Sequence, residues 1–148
     1  MKYSRILLPI LTISAAFAYA KSADTTCPQK HESVTKATKQ SGKVVAFKKG
    51  DTVDQLITQY PLVIIDFHAV WCNPCHRLKP HLEKIVKEHP EVTVITIDID
   101  QHPSVKNKFG INSIPTLVFY KNGTYVTRTQ GSKSYNELNA LVTKHLIS

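Results

Sequence analysis

The chain has 148 residues, a mass of 16.6 kDa and a formal net charge of +8 at pH 7. With 42% hydrophobic and 20% charged residues, it fits neither a disordered chain nor a membrane protein with several spans. Its length suits one domain with its own core, and its three cysteines are too few for a scaffold built from disulfides.

Residues 1–20 predict an export signal that is not part of the fold. Lys2 and Arg5 give a basic start, an uncharged stretch follows, and an Ala-x-Ala sequence ends at Ala20. This pattern is typical of a signal peptide that is cleaved after Ala20. An uncleaved membrane anchor is the alternative, although the stretch is short for a span and Pro9 interrupts it. Both interpretations predict that the rest of the chain is exported.

Residues 21–42 predict a flexible polar tether, because they are rich in Lys, Thr, Ser and Gln and lack an apolar period. The tether contains the odd cysteine, Cys27, for which a regulatory disulfide, pairing with another molecule and an incidental exposed thiol all stay open. The lysines are scattered along the whole chain, so the positive charge predicts a solvated surface and no nucleic-acid partner.

The rest of the chain alternates between strand and helix patterns. In order, these predict a strand at 44–47, a helix opened by Thr52 and Gln55, a buried strand at 62–67, a longer helix that Pro80 should kink, and a buried strand at 92–97. A short helix before Gly110, a hairpin around Asn122-Gly123 and a last helix opened by Ser134 and Glu137 follow. The order β-α-β-α-β-α-β-β-α predicts an α/β domain with a central mixed sheet and helices on both faces.

Cys72 and Cys75 stand where the buried strand at 62–67 gives way to the longer helix. A thiol at a helix N-terminus faces unsatisfied backbone N–H groups, which favour the thiolate and make it a nucleophile. The second thiol lies one turn further on, close enough to form a disulfide with the first or to resolve a mixed disulfide. Pro74 suits the first helical turn. A Cys-x-x-Cys pair beside a βαβ pattern therefore predicts redox chemistry.

The ten residues from Asp66 to Cys75, with Pro80 further on, resemble the thioredoxin family, as does Ser113-Ile114-Pro115-Thr116 before the hairpin. The resemblance covers residues 43–148 and implies a thioredoxin fold. It also implies that Cys72 is the exposed attacking thiol and that Cys75 is the buried resolving thiol of a redox-active disulfide. Asp66 would be the buried carboxylate that shuttles the proton of the resolving thiol.

The resemblance further implies how a substrate is held. Trp71 would shield the disulfide and form part of the docking surface. Pro115 would be a cis-proline that faces the disulfide and leaves the backbone of Ile114 free to pair with an extended substrate.

Several positions near the thiols are expected to tune the redox pair. Asn73-Pro74 replaces the Gly-Pro of common thioredoxins, so the family's reduction potential does not carry over. His68 stands where a tryptophan is usual, and Thr96 stands where a lysine is usual. Loss of that lysine should leave Asp66 easier to protonate. A protonated His68 or His76 would favour the attacking thiolate.

The sequence Cys72–His76 also spells Cys-x-x-Cys-His, the attachment motif of c-type haem. Haem is disfavoured, because the only methionine, Met1, leaves with the signal and the proline between the cysteines suits thioredoxin better. A metal site built on these cysteines with His76 and His81 would need a second ligand pair that the sequence does not present. No cofactor or metal is therefore expected.

Together these features predict an exported protein-disulfide reductase of the bacterial envelope. The periplasm is the preferred location, and secretion or membrane anchoring is the alternative. Expected partners are disulfide-bonded or thiol proteins and a membrane electron donor, with the membrane reached only through the export signal. A disulfide-donating oxidase or isomerase of the same fold stays open, as does a non-enzymatic module that binds clients in the groove around Trp71 and Pro115.

Overall fold

A computed structural model describes residues 42–147, and side chains up to residue 145. The predicted signal peptide and Cys27 lie outside the described residues. The elements are β1 (Lys43–Ala46), α1 (Val53–Gln59), β2 (Leu62–His68), α2 (Asn73–Glu88), β3 (Val92–Asp98), α3 (Pro103–Lys108), β4 (Thr116–Lys121), β5 (Thr124–Gln130) and α4 (Tyr135–Ile147). Their order confirms the predicted one. None of the helices described is long and apolar enough to cross a membrane.

The five strands form one mixed sheet in the order β1-β3-β2-β4-β5. β1 and β2 pair in parallel with β3, whereas β4 pairs antiparallel with β2 and β5 pairs antiparallel with β4. The central strand β2 is buried over residues 62–67, as its nearly continuous apolar sequence predicts. The register places Asp66 beside Thr96 and His68 beside Asp98.

Successive side chains of β2 point to opposite faces of the sheet, and each face has its own apolar core. The odd-numbered residues pack in a cluster with α1 and part of α3. The even-numbered residues at the start of the strand pack in a second cluster with α2 and α4. Asp66 and His68 continue this even-numbered series, so both lie on the face that α2 covers.

The helix ends follow the predicted capping residues. The Thr52 hydroxyl accepts a hydrogen bond from the Gln55 N–H at 3.4 Å. At the start of α4 the bonds are reciprocal: the Ser134 N–H donates to Glu137 Oε2 at 2.8 Å, and the Glu137 N–H donates to Ser134 Oγ at 3.3 Å. This capping box satisfies two backbone donors that a helix N-terminus otherwise leaves unpaired.

Proline and glycine signals have local effects. α2 is one helix of 16 residues that contains Pro80, so the proline does not end it. Between β4 and β5, Asn122 and Gly123 have φ angles of 49° and 78°, the two positive values that a tight hairpin turn needs. The hairpin predicted from this dipeptide is confirmed.

Gly42, the first described residue, enters β1 through a crowded gap at the C-terminal end of α2. A Cβ atom there would lie 2.4 Å from the carbonyl oxygen of Val86 and 2.9 Å from those of His89 and Val92. Because these are backbone atoms of neighbouring elements, they cannot move aside easily. Only glycine allows the chain to enter the domain at this point.

Candidate active site

Cys72 and Cys75 form a disulfide bond with an S–S distance of 2.04 Å at the N-terminus of α2. Cys72 is the N-cap residue, and its Sγ atom accepts a hydrogen bond from the Cys75 N–H at 3.2 Å. Pro74 lies in the first turn of the helix, where its missing N–H costs no hydrogen bond. In the reduced protein, the same backbone donor and the helix dipole would stabilise a thiolate on Cys72.

Both cysteines are buried in this disulfide form, which corrects the expectation of an exposed Cys72. The exposed fraction is 4% for Cys72 and 7% for Cys75. The two bonded sulfur atoms cover each other, and both residues join the apolar cluster against which Ile114 packs. Exposure therefore does not distinguish the two thiols, whereas position at the helix N-terminus does.

The surface beside the disulfide is apolar. Val70 and Trp71 are 69% and 64% exposed. The indole Nε1–H of Trp71 donates a hydrogen bond to Asp100 Oδ2 at 2.7 Å, which ties the ring to the turn after β3. Trp71 is thus a surface residue held in one orientation, as a shield or docking residue must be, and is not a core tryptophan.

The Ile114–Pro115 peptide bond is cis, as the family resemblance implied. Hydrogen bonds fix the chain on either side of it. The Thr116 hydroxyl donates to the Ser113 carbonyl at 2.7 Å, and the Pro115 carbonyl accepts from the Gly131 N–H at 2.8 Å. Ile114 and Pro115 are therefore held at the start of β4 by contacts from both sides of the hairpin.

Two supporting residues were missed in the sequence. Arg128 on β5 donates from Nη1 to the Phe109 carbonyl at 3.0 Å and from Nη2 to the Gly110 carbonyl at 3.1 Å. These bonds hold the end of α3, from which the chain continues to the cis-proline. Asp100, the partner of Trp71, is 29 positions away from it in sequence. Neither contact has a local sequence signal, because each joins segments that only the fold brings together.

Asp66 is a buried carboxyl group on the face of β2 that α2 covers. It is 6% exposed, and its Oδ1 atom has no hydrogen-bond partner among the described residues. Burial raises the pKa of Asp66 from 3.8 to about 7. Thr96 lies beside it in the sheet, but the Thr96 hydroxyl donates to the Val45 carbonyl at 3.5 Å instead. The prediction that Asp66 is easy to protonate here is confirmed.

A cavity of about 400 Å³ lies between α2 and the sheet, with walls from β1, β2 and β3. Asp66, His68 and Cys75 all line it, so the buried carboxyl group and the resolving cysteine face one space. Its other polar lining residues are His76, Lys79, Glu83 and Thr96. Within the described part of the chain, no three His, Cys, Asp or Glu residues are grouped so that they could hold a metal ion.

The two histidines near the disulfide differ in environment. Burial lowers the pKa of His68 below its usual 6.5; the negative charge of Asp98 opposes this shift, and His76 and Lys79 add to it. His68 is therefore mostly neutral at pH 7, so it does not supply the positive charge that would favour a thiolate. His76 is exposed, and its Nε2 atom lies 2.8 Å from the Val70 carbonyl oxygen.

Comparisons with known proteins agree with this geometry. The family model for thioredoxin matches residues 43–144. Thioredoxin from Chlamydia muridarum is 45% identical over 84 residues, which cover 57% of this chain and 82% of that protein. Thioredoxin-1 from Saccharomyces cerevisiae is 35% identical over 89 residues, or 60% of this chain and 86% of that one. The oxidised thioredoxin of Plasmodium falciparum superimposes with a TM-score of 0.60 at 36% identity, covering 71% of this chain and 98% of that chain.

The substitution Asp66→Asn is expected to stabilise the oxidised protein above neutral pH. The rise in the Asp66 pKa from 3.8 to about 7 corresponds to roughly 4 kcal/mol, at about 1.4 kcal/mol per pH unit. Between these values the folded protein holds a proton that the unfolded chain has released, so the free energy of unfolding falls as pH rises through about 7 and levels off above that pH. Urea unfolding should show the variant gaining several kcal/mol at about pH 8 and losing most of that gain near pH 4.

Asp98→Asn is the matched control. Burial alone would raise the pKa of Asp98. Hydrogen bonds from the Asp100 N–H, the Gln101 side chain and the Gln101 N–H have the larger combined effect, so the pKa is lowered below 3.8. This variant should therefore lose stability at the same pH. Equal stability of Asp66→Asn and the unchanged protein at about pH 8 would contradict the raised pKa of Asp66.

Proposed function

This chain belongs to the thioredoxin family and is a thiol–disulfide oxidoreductase that acts on protein thiols or disulfides, and from that premise we propose that it is an exported protein-disulfide reductase. The observation that carries the redox chemistry is the Cys72–Cys75 disulfide at the N-terminus of α2, on a cavity shared with a buried carboxyl group. The reducing direction is supported by the family, and export is supported by residues 1–20.

In the reduced protein, Cys72 is the attacking group. Its place at the helix N-terminus and the N–H of Cys75 stabilise the negative charge of its thiolate, which is the nucleophile. The thiolate attacks a substrate disulfide, so a bond forms between Cys72 and one substrate sulfur while the substrate disulfide breaks. The other substrate sulfur leaves as a thiolate and takes a proton from water.

Cys75 then resolves this mixed disulfide. Because Cys75 and Asp66 line the same cavity, the ionised carboxylate is placed to accept the thiol proton. The Cys75 thiolate attacks Cys72 Sγ, the Cys72–Cys75 bond forms, and the second substrate thiolate is released. Two electrons pass from the dithiol to the substrate, and the protein ends in the disulfide form described above.

A client protein would dock on the surface around the disulfide. Val70 and Trp71 offer exposed apolar area, which a partner can cover without first displacing a core residue. Ile114 and the cis-proline lie just before the first residue of β4. An extended client segment could pair with the backbone there, as peptides do when they add to the edge of a sheet.

The reducing direction predicts a reduction potential of the Cys72–Cys75 couple close to about −270 mV, the value typical of thioredoxin. Trp71 is the only tryptophan and precedes the disulfide, so its fluorescence in a series of dithiothreitol buffers reports the reduced fraction. Asn73→Gly restores the usual dipeptide and measures the contribution of Asn73. A potential near about −120 mV would overturn the proposed direction in favour of a disulfide-donating oxidase.

Cys75→Ser should trap client proteins, whereas Cys72→Ser should not. Without Cys75 the mixed disulfide on Cys72 cannot be resolved, so adducts that dithiothreitol releases should accumulate on non-reducing gels. Reduction of insulin should fall to the background rate in both variants. A module that only binds clients would instead hold them equally well in both variants and form no covalent adduct.

A reductase outside the cytosol must be re-reduced there, so we expect a membrane electron donor as its partner.

Expression of the full chain in a Gram-negative bacterium should yield a protein that begins at Lys21 in the periplasmic fraction, as measured by intact-protein mass spectrometry. Ala20→Phe should block this cleavage, whereas Ala16→Phe, away from the cleavage motif, should not. An uncut chain in the membrane fraction would favour the anchor, and an uncut chain in the cytosol would contradict export.

A further inference from the structure

We propose that His68 passes the proton of the resolving step between Asp66 and solvent, so that it acts on the reaction through Asp66. This inference rests on the proposed function, since it concerns the step in which Cys75 resolves the mixed disulfide. It assigns a chemical role to the residue that stands where thioredoxins usually have a tryptophan.

The placement of three side chains carries the inference. Asp66 and His68 are alternate residues of β2, so they leave the same face of the sheet. Both line the cavity of about 400 Å³ that Cys75 also lines. This space has room for several water molecules at roughly 30 Å³ each. A proton can therefore move between the three groups without crossing the packed core.

The Asp66 carboxyl group needs a route by which its proton can reach solvent. Each turnover leaves the proton of Cys75 on Asp66, and the next turnover needs the carboxylate again. Asp66 is 6% exposed, and Oδ1 has no hydrogen-bond partner among the residues that the structure describes. His68 is half-buried at the end of β2, two residues beyond Asp66, and lines the same cavity. It is the next titratable group along the strand.

The charged groups around His68 leave its imidazole neutral at rest but allow it to carry a positive charge briefly. Asp98 lies beside it on β3, and hydrogen bonds from Asp100 and Gln101 keep that carboxylate ionised. Its negative charge stabilises an imidazolium at His68. From α2, His76 and Lys79 disfavour the imidazolium, so the proton does not remain there.

Other groups on the cavity are less suited to the task. Lys79 ends in an ammonium group, which donates hydrogen bonds but has no lone pair to accept a proton. Glu83 is exposed on α2, and the Nε2 atom of His76 is already in contact with the Val70 carbonyl. The Asp66 pKa is raised to about 7 and the His68 pKa is lowered below 6.5, so the proton favours Asp66 and the imidazolium of His68 forms only in passing.

The proton balance of the step is simple. With a pKa of about 7, Asp66 starts the step protonated in a large share of the molecules near neutral pH. Neutral His68 takes this proton, directly or through cavity water, and the imidazolium releases it to a buffer base in solvent. The Cys75 thiol then gives its proton to the Asp66 carboxylate and becomes the thiolate that attacks Cys72, so the second release depends on the transfer to His68. Asp66 and His68 end the turnover in the states in which they began it.

The resolving step can be observed with Ellman's reagent, an aromatic disulfide whose thiolate is coloured. Attack by Cys72 on the reagent releases one coloured thiolate and leaves the other on Cys72. Attack by Cys75 then releases the second. His68→Gln should leave the first release unchanged and slow the second by about tenfold near pH 7, with a changed pH profile. His81→Gln should change neither release, because the native His81 ring bonds the Lys133 carbonyl just before α4 and does not line the cavity.

Chemical rescue separates a proton relay from a structural role. His68→Ala enlarges the cavity, and added imidazole should restore the second release in proportion to its neutral form. Asp66→Asn should slow the same release without any response to imidazole. Equal second rates in His68→Gln and the unchanged protein across the pH range would overturn the relay. Failure of imidazole to rescue His68→Ala, or its success with Asp66→Asn, would do the same.

These outcomes also separate the relay from the proposed function. If the unchanged reduced protein does not release the first coloured thiolate, or releases only one, the dithiol mechanism itself is wrong. If both releases occur and only the dependence on His68 is missing, the reductase proposal stands and the relay falls.

Discussion

The burial of one carboxyl group on the central strand constrains the rest of the active site. Asp66 continues a strand face whose earlier residues are apolar and fully buried, so its environment disfavours the ionised form. Nothing in the described part of the chain bonds its Oδ1 atom. The sheet tolerates this buried carboxyl group because Asp66 occupies only one position of β2. The other buried residues of the strand are apolar and hold it in place.

The other parts of the site are placed relative to that strand. β2 ends at His68, a short loop follows, and α2 begins at Asn73, so Cys75 lies on the cavity that Asp66 lines and Cys72 caps the helix. Long-range hydrogen bonds then set the surface: Asp100 orients Trp71, and Arg128 holds the end of α3. The redox pair therefore lies between the central strand β2 and a surface that is held by hydrogen bonds from distant segments.

What could be predicted from the sequence was decided locally. The capping box of α4, the Asn122-Gly123 turn and the buried run of β2 depend on a few neighbouring residues, and each is found as expected. The resemblance to thioredoxin supplied the cis-proline, which composition alone disfavours. The burial of Cys72, the cavity and the bonds of Arg128 could not be predicted, because they depend on segments that meet only in the folded domain.

The crowded position of Gly42, just before β1, determines where any N-terminal segment is attached to the domain. Gly42 touches the C-terminal end of α2, and the disulfide is at the N-terminal end of the same helix, roughly 24 Å away at 1.5 Å per residue over 16 residues. The preceding chain therefore joins the domain at the end of α2 that is opposite the redox pair. A tether attached there would not cover the disulfide, so a large folded client would have room to approach it.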